Sequence, residues 1–209
     1  MGSSVRSQPP TTGGTVTLTG ASTYAGGTTI SGGILNINTD ATLGSASGTV
    51  AISNGASLQA AAAVTTNRTV TLAGGGGKID TNGQTVTLGA TGTGGGTALE
   101  KAGAGTLNIN ATQTYSDLLT SGGTTNIYTA LGTGTSTLTA NATTNIYASQ
   151  TLASLTIGTG TTVTFGDGLP FAPAAEKFGA PAALVPEPGS LGLLMVCALG
   201  VLGRRRQAA

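Results

Sequence analysis

Short runs in which every second residue is apolar recur along residues 13–168. Thr15–Thr19, Ile34–Asn38, Thr85–Leu88, Thr106–Asn110 and Thr162–Phe165 alternate Val, Leu, Ile or Phe with Thr or Asn. A period of two puts alternate side chains on opposite faces of a strand, so these runs predict half-buried β-strands with Thr turned to water. Gly-Gly pairs at 26–27, 32–33 and 122–123 punctuate the runs and supply turns, where positive φ costs glycine least. No stretch before residue 185 carries a helical period; Ala60–Val64 comes nearest and is too short.

The strand pattern also repeats at long range. GTVTLTGASTYAGGTTISGGILNIN at Gly14–Asn38 aligns with GTLNINATQTYSDLLTSGGTTNIY at Gly105–Tyr128. Tyr24 falls on Tyr115, and Gly32-Gly33 on Gly122-Gly123 after one deletion. Strands this frequent permit a sandwich, a barrel or a solenoid. Small turns, few aromatics and long-period repetition favour the solenoid, in which each coil stacks on the last and buries its row of Val, Ile and Leu.

The first copy resembles the autotransporter-associated β-strand repeat, of the form G-T-L-x-L-x-G-x-N-T-Y-x-G-G-T-x-I-x-x-G-x-L, with Ser22 at the usual Asn position. The second is a decayed copy, Asp117-Leu118-Leu119 standing where Gly-Gly-Thr belongs. The resemblance implies an all-β fold, a right-handed parallel β-helix, across residues 13–168. With roughly 20 residues per coil, that region makes seven or eight coils, a rod about 35 Å long at ~4.8 Å per coil. Residues 169–184, rich in Pro and Ala, read as a linker. Residues 1–12 read as a disordered lead-in with no apolar h-region, so the expectation is a truncated copy, a misplaced start or a non-exported fragment, the first two favoured.

The chain ends in a different pattern. Leu191 to Gly203 is a run of 13 residues without charge, a helix of roughly 20 Å against a hydrocarbon core of about 30 Å. Pro186-Glu187-Pro188 precede it and Arg204, Arg205 and Arg206 follow at once. The cationic flank stays cytoplasmic, which places the preceding chain outside. A proline break, a short apolar helix and an arginine cluster together resemble the PEP-CTERM sorting signal over residues 185–206. That resemblance implies an exosortase, a membrane-embedded cysteine protease, as the partner that handles Pro186, Glu187 and Pro188. It also implies a membrane-held precursor that ends at the cell surface or outside the cell.

Composition narrows the chemistry. Charged residues are 7%, aromatics 3%, and His and Trp are both absent; without His the commonest general base and zinc ligand are missing. Residues 10–183 hold four cations and six anions, and Arg204–Arg206 create the formal excess of +1. Such a body tracks no phosphate backbone, so nucleic acid is not an expected partner. Cys197 lies inside the apolar tail, leaving no intrachain disulfide. Gly74–Gly77 before Lys78 lacks the hydroxyl of a P-loop, because Ile79 follows. No catalytic, cofactor or metal residue is called for.

Three readings of function follow. The first is a non-enzymatic surface or matrix protein, structural or adhesive, with extracellular polysaccharide as a partner that rests on the resemblance. The second is a β-helix polysaccharide-active enzyme using Arg68, Lys78, Asp80, Glu100 and Lys101, which as a sparse set read more simply as solubilising charges. The third is an ice-binding solenoid using Thr rows such as Thr133, Thr135, Thr137 and Thr139, or Thr15, Thr17 and Thr19; Thr is equally the ordinary polar residue of an exposed strand.

Overall fold

A computed structural model describes residues 5–7, 13–132, 136–166 and 171–173. Among them the chain is all-β apart from one 3-10 turn, Asp40–Leu43, and the strands pair in parallel throughout. Parallel pairing of consecutive short strands requires the chain to circle before it returns. The result is a β-solenoid of about seven coils with three faces.

The first face stacks Thr28–Ile30, Val50–Ile52, Val70–Leu72 and the leading ends of Gly92–Ala102 and Gln113–Thr120. The second begins with Thr15–Leu18, Ile34–Ile37, Ala56–Ala60 and Gly77–Asp80. It continues through the trailing ends of the same two long strands to Thr137–Ala140 and Ser154–Ile157. The third stacks Val64–Thr66, Thr85–Leu88, Thr106–Ile109, Thr124–Ile127, Thr143–Ile146 and Val163–Phe165. Four of the five strands read from alternation begin at the residue expected, and all five end within a residue.

One coil is not a fixed length. Asn36 sits on Gln59, 23 residues on, whereas Ala140 sits on Ile157, 17 residues on. Insertions fall at the corners, so the inward columns stay in register. Leu35, Leu58 and Ile79 form one such buried column, and Leu88, Ile109, Ile127 and Ile146 another. Each added coil extends these columns and withdraws its apolar rows from water, at about 25 cal/mol per Å².

The two sequence copies use the same local geometry on different faces. Thr15 pairs with Ile34 in the first and Thr106 with Thr124 in the second, so each copy wraps once and lands on itself. The first does so on the second face and the second on the third. Gly14 and Gly105 are 91 residues apart, while a coil such as Gln59 to Asp80 takes 21. That is four and a third coils, and a third of a coil is one face.

Glycines permit the tight corners. Gly33 and Gly123 lie at φ 67° and 64°, and a Cβ there would collide with the carbonyl oxygens of Gly14 and Gly105 on the coil beneath. Gly92 and Gly94 are different: they vacate interior space that Tyr115 fills from the next coil, its hydroxyl donating to the Val70 carbonyl at 3.3 Å.

Two short strands lie beyond the expected limits of the solenoid, one on the first face and one in a separate two-stranded sheet. Val5–Ser7 pairs with Thr28–Ile30, and Phe171–Pro173 with Gln150–Leu152. The sequence reads these stretches as lead-in and linker because three residues are too few to show a period.

Candidate functional site

The sorting residues Pro186, Glu187, Pro188, Arg204, Arg205 and Arg206, and the apolar run 191–203, lie outside the described residues. Among the described residues no helix is long and apolar enough to cross a membrane. Two features of the solenoid itself carry site chemistry, its charged side chains and the outward side of its third face.

The five charges weighed as an enzyme cluster fall into four arrangements, each with its own hydrogen-bond partners. Arg68, 3% exposed, reaches from the turn after Val64–Thr66 into the coil below. Its Nε donates to the Asp40 carboxylate at 2.8 Å, and its terminal nitrogens to the carbonyls of Asp40, Gly44, Ser45 and Gly48. That coil has the 3-10 turn Asp40–Leu43 where later coils have a third-face strand. Arg68 thus satisfies carbonyls that a paired strand would otherwise take.

Lys101 points inward, in register between Ile79 and Thr120, and is fully buried. Its Nζ donates to the carbonyls of Ala102, Gly103 and Gly122 at 3.0, 2.7 and 2.6 Å. Burial lowers its pKa to about 8, against an opposing pull from Asp80. Alternation already carried this signal: Lys101 is two residues from buried Leu99 and so shares its face. Neighbouring Thr120 and Thr144 hydroxyls bond each other at 3.0 Å, while the buried Thr125 hydroxyl has no partner. The core of these coils is therefore partly polar.

Lys78 and Glu100 form an ion pair at 2.7 Å on the outside of the second face. Burial raises the Glu100 pKa, but hydrogen bonds from Lys78 and Ser121 outweigh it and hold the carboxyl below its ordinary value. Asp80 accepts from Gln59 Nε2 at 2.8 Å, and the Gln59 Oε1 accepts from Asn36 at 2.7 Å. Each charge is thus engaged in bracing adjacent coils. Among the described residues no group of three His, Cys, Asp or Glu is placed to hold a metal ion.

The Thr rows fall out differently from expectation. Thr133 and Thr135 lie outside the described residues, Thr137 and Thr139 are half-buried, and Thr137 donates to Asp117. Thr15, Thr17 and Thr19 are exposed on one early coil. The extended row is on the third face, where Thr85, Thr106, Thr124 and Thr143 stack in register.

Beside that row runs a second one. Thr87, Asn108, Asn126 and Asn145 stack in register, and the asparagines form an amide ladder. Asn145 Nδ2 donates to Asn126 Oδ1 at 2.9 Å, Asn126 to Asn108 at 2.9 Å, and Asn108 to the Thr87 hydroxyl at 3.3 Å. Two residues further along, Tyr128 and Tyr147 stack at 4.8 Å between ring centres, 8° from parallel, and are 48% and 47% exposed. The sequence signal is TTNIY at 124–128 and again at 143–147, with TLNIN at 106–110. It was legible as strand but gave no sign that three distant segments align.

These features define a repeat-built parallel β-solenoid. Residues 13–37 match the passenger-associated-transport-repeat family model, and residues 184–207 match the PEP-CTERM protein-sorting motif. The chain therefore carries a transport repeat of the autotransporter kind together with an exosortase sorting signal, and these mark an exported, surface-directed protein. It is also similar to the adhesin BmaC autotransporter of Brucella suis biovar 1 (strain 1330), 44% identical over 66 residues. That alignment covers 32% of this chain and 2% of the relative, so the chain spans a small fraction of that protein's length. No solved structure matches the chain.

Proposed function

We propose that this is a non-enzymatic cell-surface or extracellular-matrix protein, structural or adhesive, delivered and processed by an exosortase acting on its C-terminal tail. The observation that carries this reading is the sorting motif at 184–207 on the same chain as an adhesin-like repeat. The solenoid supplies a stiff body to display, and Pro186, Glu187 and Pro188 mark the processing region between body and tail. Arg204, Arg205 and Arg206 hold the far end of the apolar run on the cytoplasmic side until processing. A non-enzymatic role is supported by the placement of Arg68 and Lys101, both buried on backbone carbonyls and withdrawn from any substrate.

The test is to express the full chain in a host with an exosortase and replace Pro186-Glu187-Pro188 by alanines. The expected outcome is an uncleaved protein held in the membrane fraction, where the parent is shortened and found at the surface. Equal processing of both proteins would overturn the reading.

A further inference from the structure

We infer that the outward side of the third face is a binding strip for a neutral, extended glycan chain running along the solenoid axis. The inference rests on the adhesive reading above and gives it a ligand class.

Three properties converge on this strip. Asn108, Asn126 and Asn145 each commit one N–H to the ladder, which fixes the amide planes. An amide carries two N–H donors and an oxygen with two lone pairs. Asn126, in mid-ladder, therefore keeps one free N–H and one free lone pair, and Asn108 and Asn145 each keep at least as much. Such a donor and acceptor side by side match the adjacent hydroxyls of a sugar ring, and the pattern recurs every ~4.8 Å along the axis. Tyr128 and Tyr147 border the ladder with large exposed aromatic surface, and tyrosine offers an apolar body with a polar tip. That suits the mixed C–H and hydroxyl surface of a pyranose. A shallow depression lined by Asn108, Asn110 and Tyr128 lies where the amide and aromatic columns meet.

Charge selects the class of glycan. The outward residues of the strands from Thr85 to Ile146 on this face are Thr and Asn, and Asn or Tyr follows each of the last three of these four strands. A strip without charge gives an acidic polymer no electrostatic attraction. Area argues against a second copy of the chain. Four rungs at ~4.8 Å and four residues at ~3.3 Å give about 250 Å², against about 800 Å² per partner in a stable protein interface. A slim polymer needs no more, because each coil adds another contact to a chain already held.

The full-length protein is tested by affinity electrophoresis in gels containing hydroxyethylcellulose, galactomannan or alginate, with far-UV circular dichroism to verify folding. At least one neutral polymer retards the parent, and Tyr128→Ser/Tyr147→Ser weakens that retardation about tenfold or more, as expected for loss of central aromatic anchors. Lys78→Ala, on the second face, binds like the parent. Retardation by alginate alone, by none of the three, or equally for the tyrosine variant overturns the assignment. Thermal hysteresis of the same protein without glycan binding would do so too, and would give the Thr and Asn rows to ordered water. In a host cell, normal tail processing alongside absent glycan binding sinks the strip and leaves the sorting reading intact.

Discussion

Lys101 ties the stability of this protein to pH. An ammonium in the interior is costly, and three carbonyls compensate only in part, so burial lowers its pKa to about 8. In the unfolded chain the value is about 10.4. Between these two values the unfolded chain holds a proton that the folded chain has released, so stability rises with pH across that window. Tyr115 has the opposite sign: burial raises its phenol above the ordinary value, so its contribution is present below about pH 10 and lost above it. The melting temperature should climb from pH 8 to near 10 and then fall, and Lys101→Met should flatten the climb while keeping the fall. Thr125 offers a second check, since its buried hydroxyl has no partner. Thr125→Val keeps the shape and removes the orphan, and should stabilise by about 1 kcal/mol in chemical denaturation.

At the level of elements, the coils are held by apolar columns inside and hydrogen-bonded ladders outside, and the exception is the coil with the 3-10 turn. There Arg68 substitutes for a strand. Arg68→Met should cost about 2–3 kcal/mol, because it leaves the Gly44 and Gly48 carbonyls buried without a donor and the part-exposed Asp40 carboxylate without its partner. Urea titration measures it, and a loss under 1 kcal/mol would show that water replaces the guanidinium easily. Alternation made the strands legible, as Thr106–Ile109 and Thr85–Leu88 show, since period two is a local property of consecutive residues. The 3-10 turn was not legible, because its form depends on an arginine that arrives 28 residues after Asp40. The third-face ladder was hidden for the same reason: Asn108, Asn126 and Asn145 become neighbours only when corners of different lengths close.

For the whole molecule, contacts run between adjacent coils, so stability should scale with coil number and tolerate removal of one unit. Ile127 and Ile146 occupy equivalent positions 19 residues apart. Deleting residues 128–146 joins Ile127 to Tyr147 and preserves the inward columns. That protein should keep a β-sheet circular dichroism spectrum with a lowered melting temperature, whereas deleting residues 128–137 puts unlike faces in register and should leave it unfolded. By itself the sequence determined the solenoid class, five of its strands and the identity of the sorting tail, because these are written in local patterns and their repetition: alternation, Gly-Gly corners, the recurring copy, Pro-Glu-Pro and an arginine cluster. Only the tertiary structure decided which face each repeat copy occupies, that Arg68 reaches into the coil below, and that three TxN segments form one uncharged strip. Those outcomes depend on the summed length of the coils between them, and a difference of a third of a coil sends the same sequence to another face.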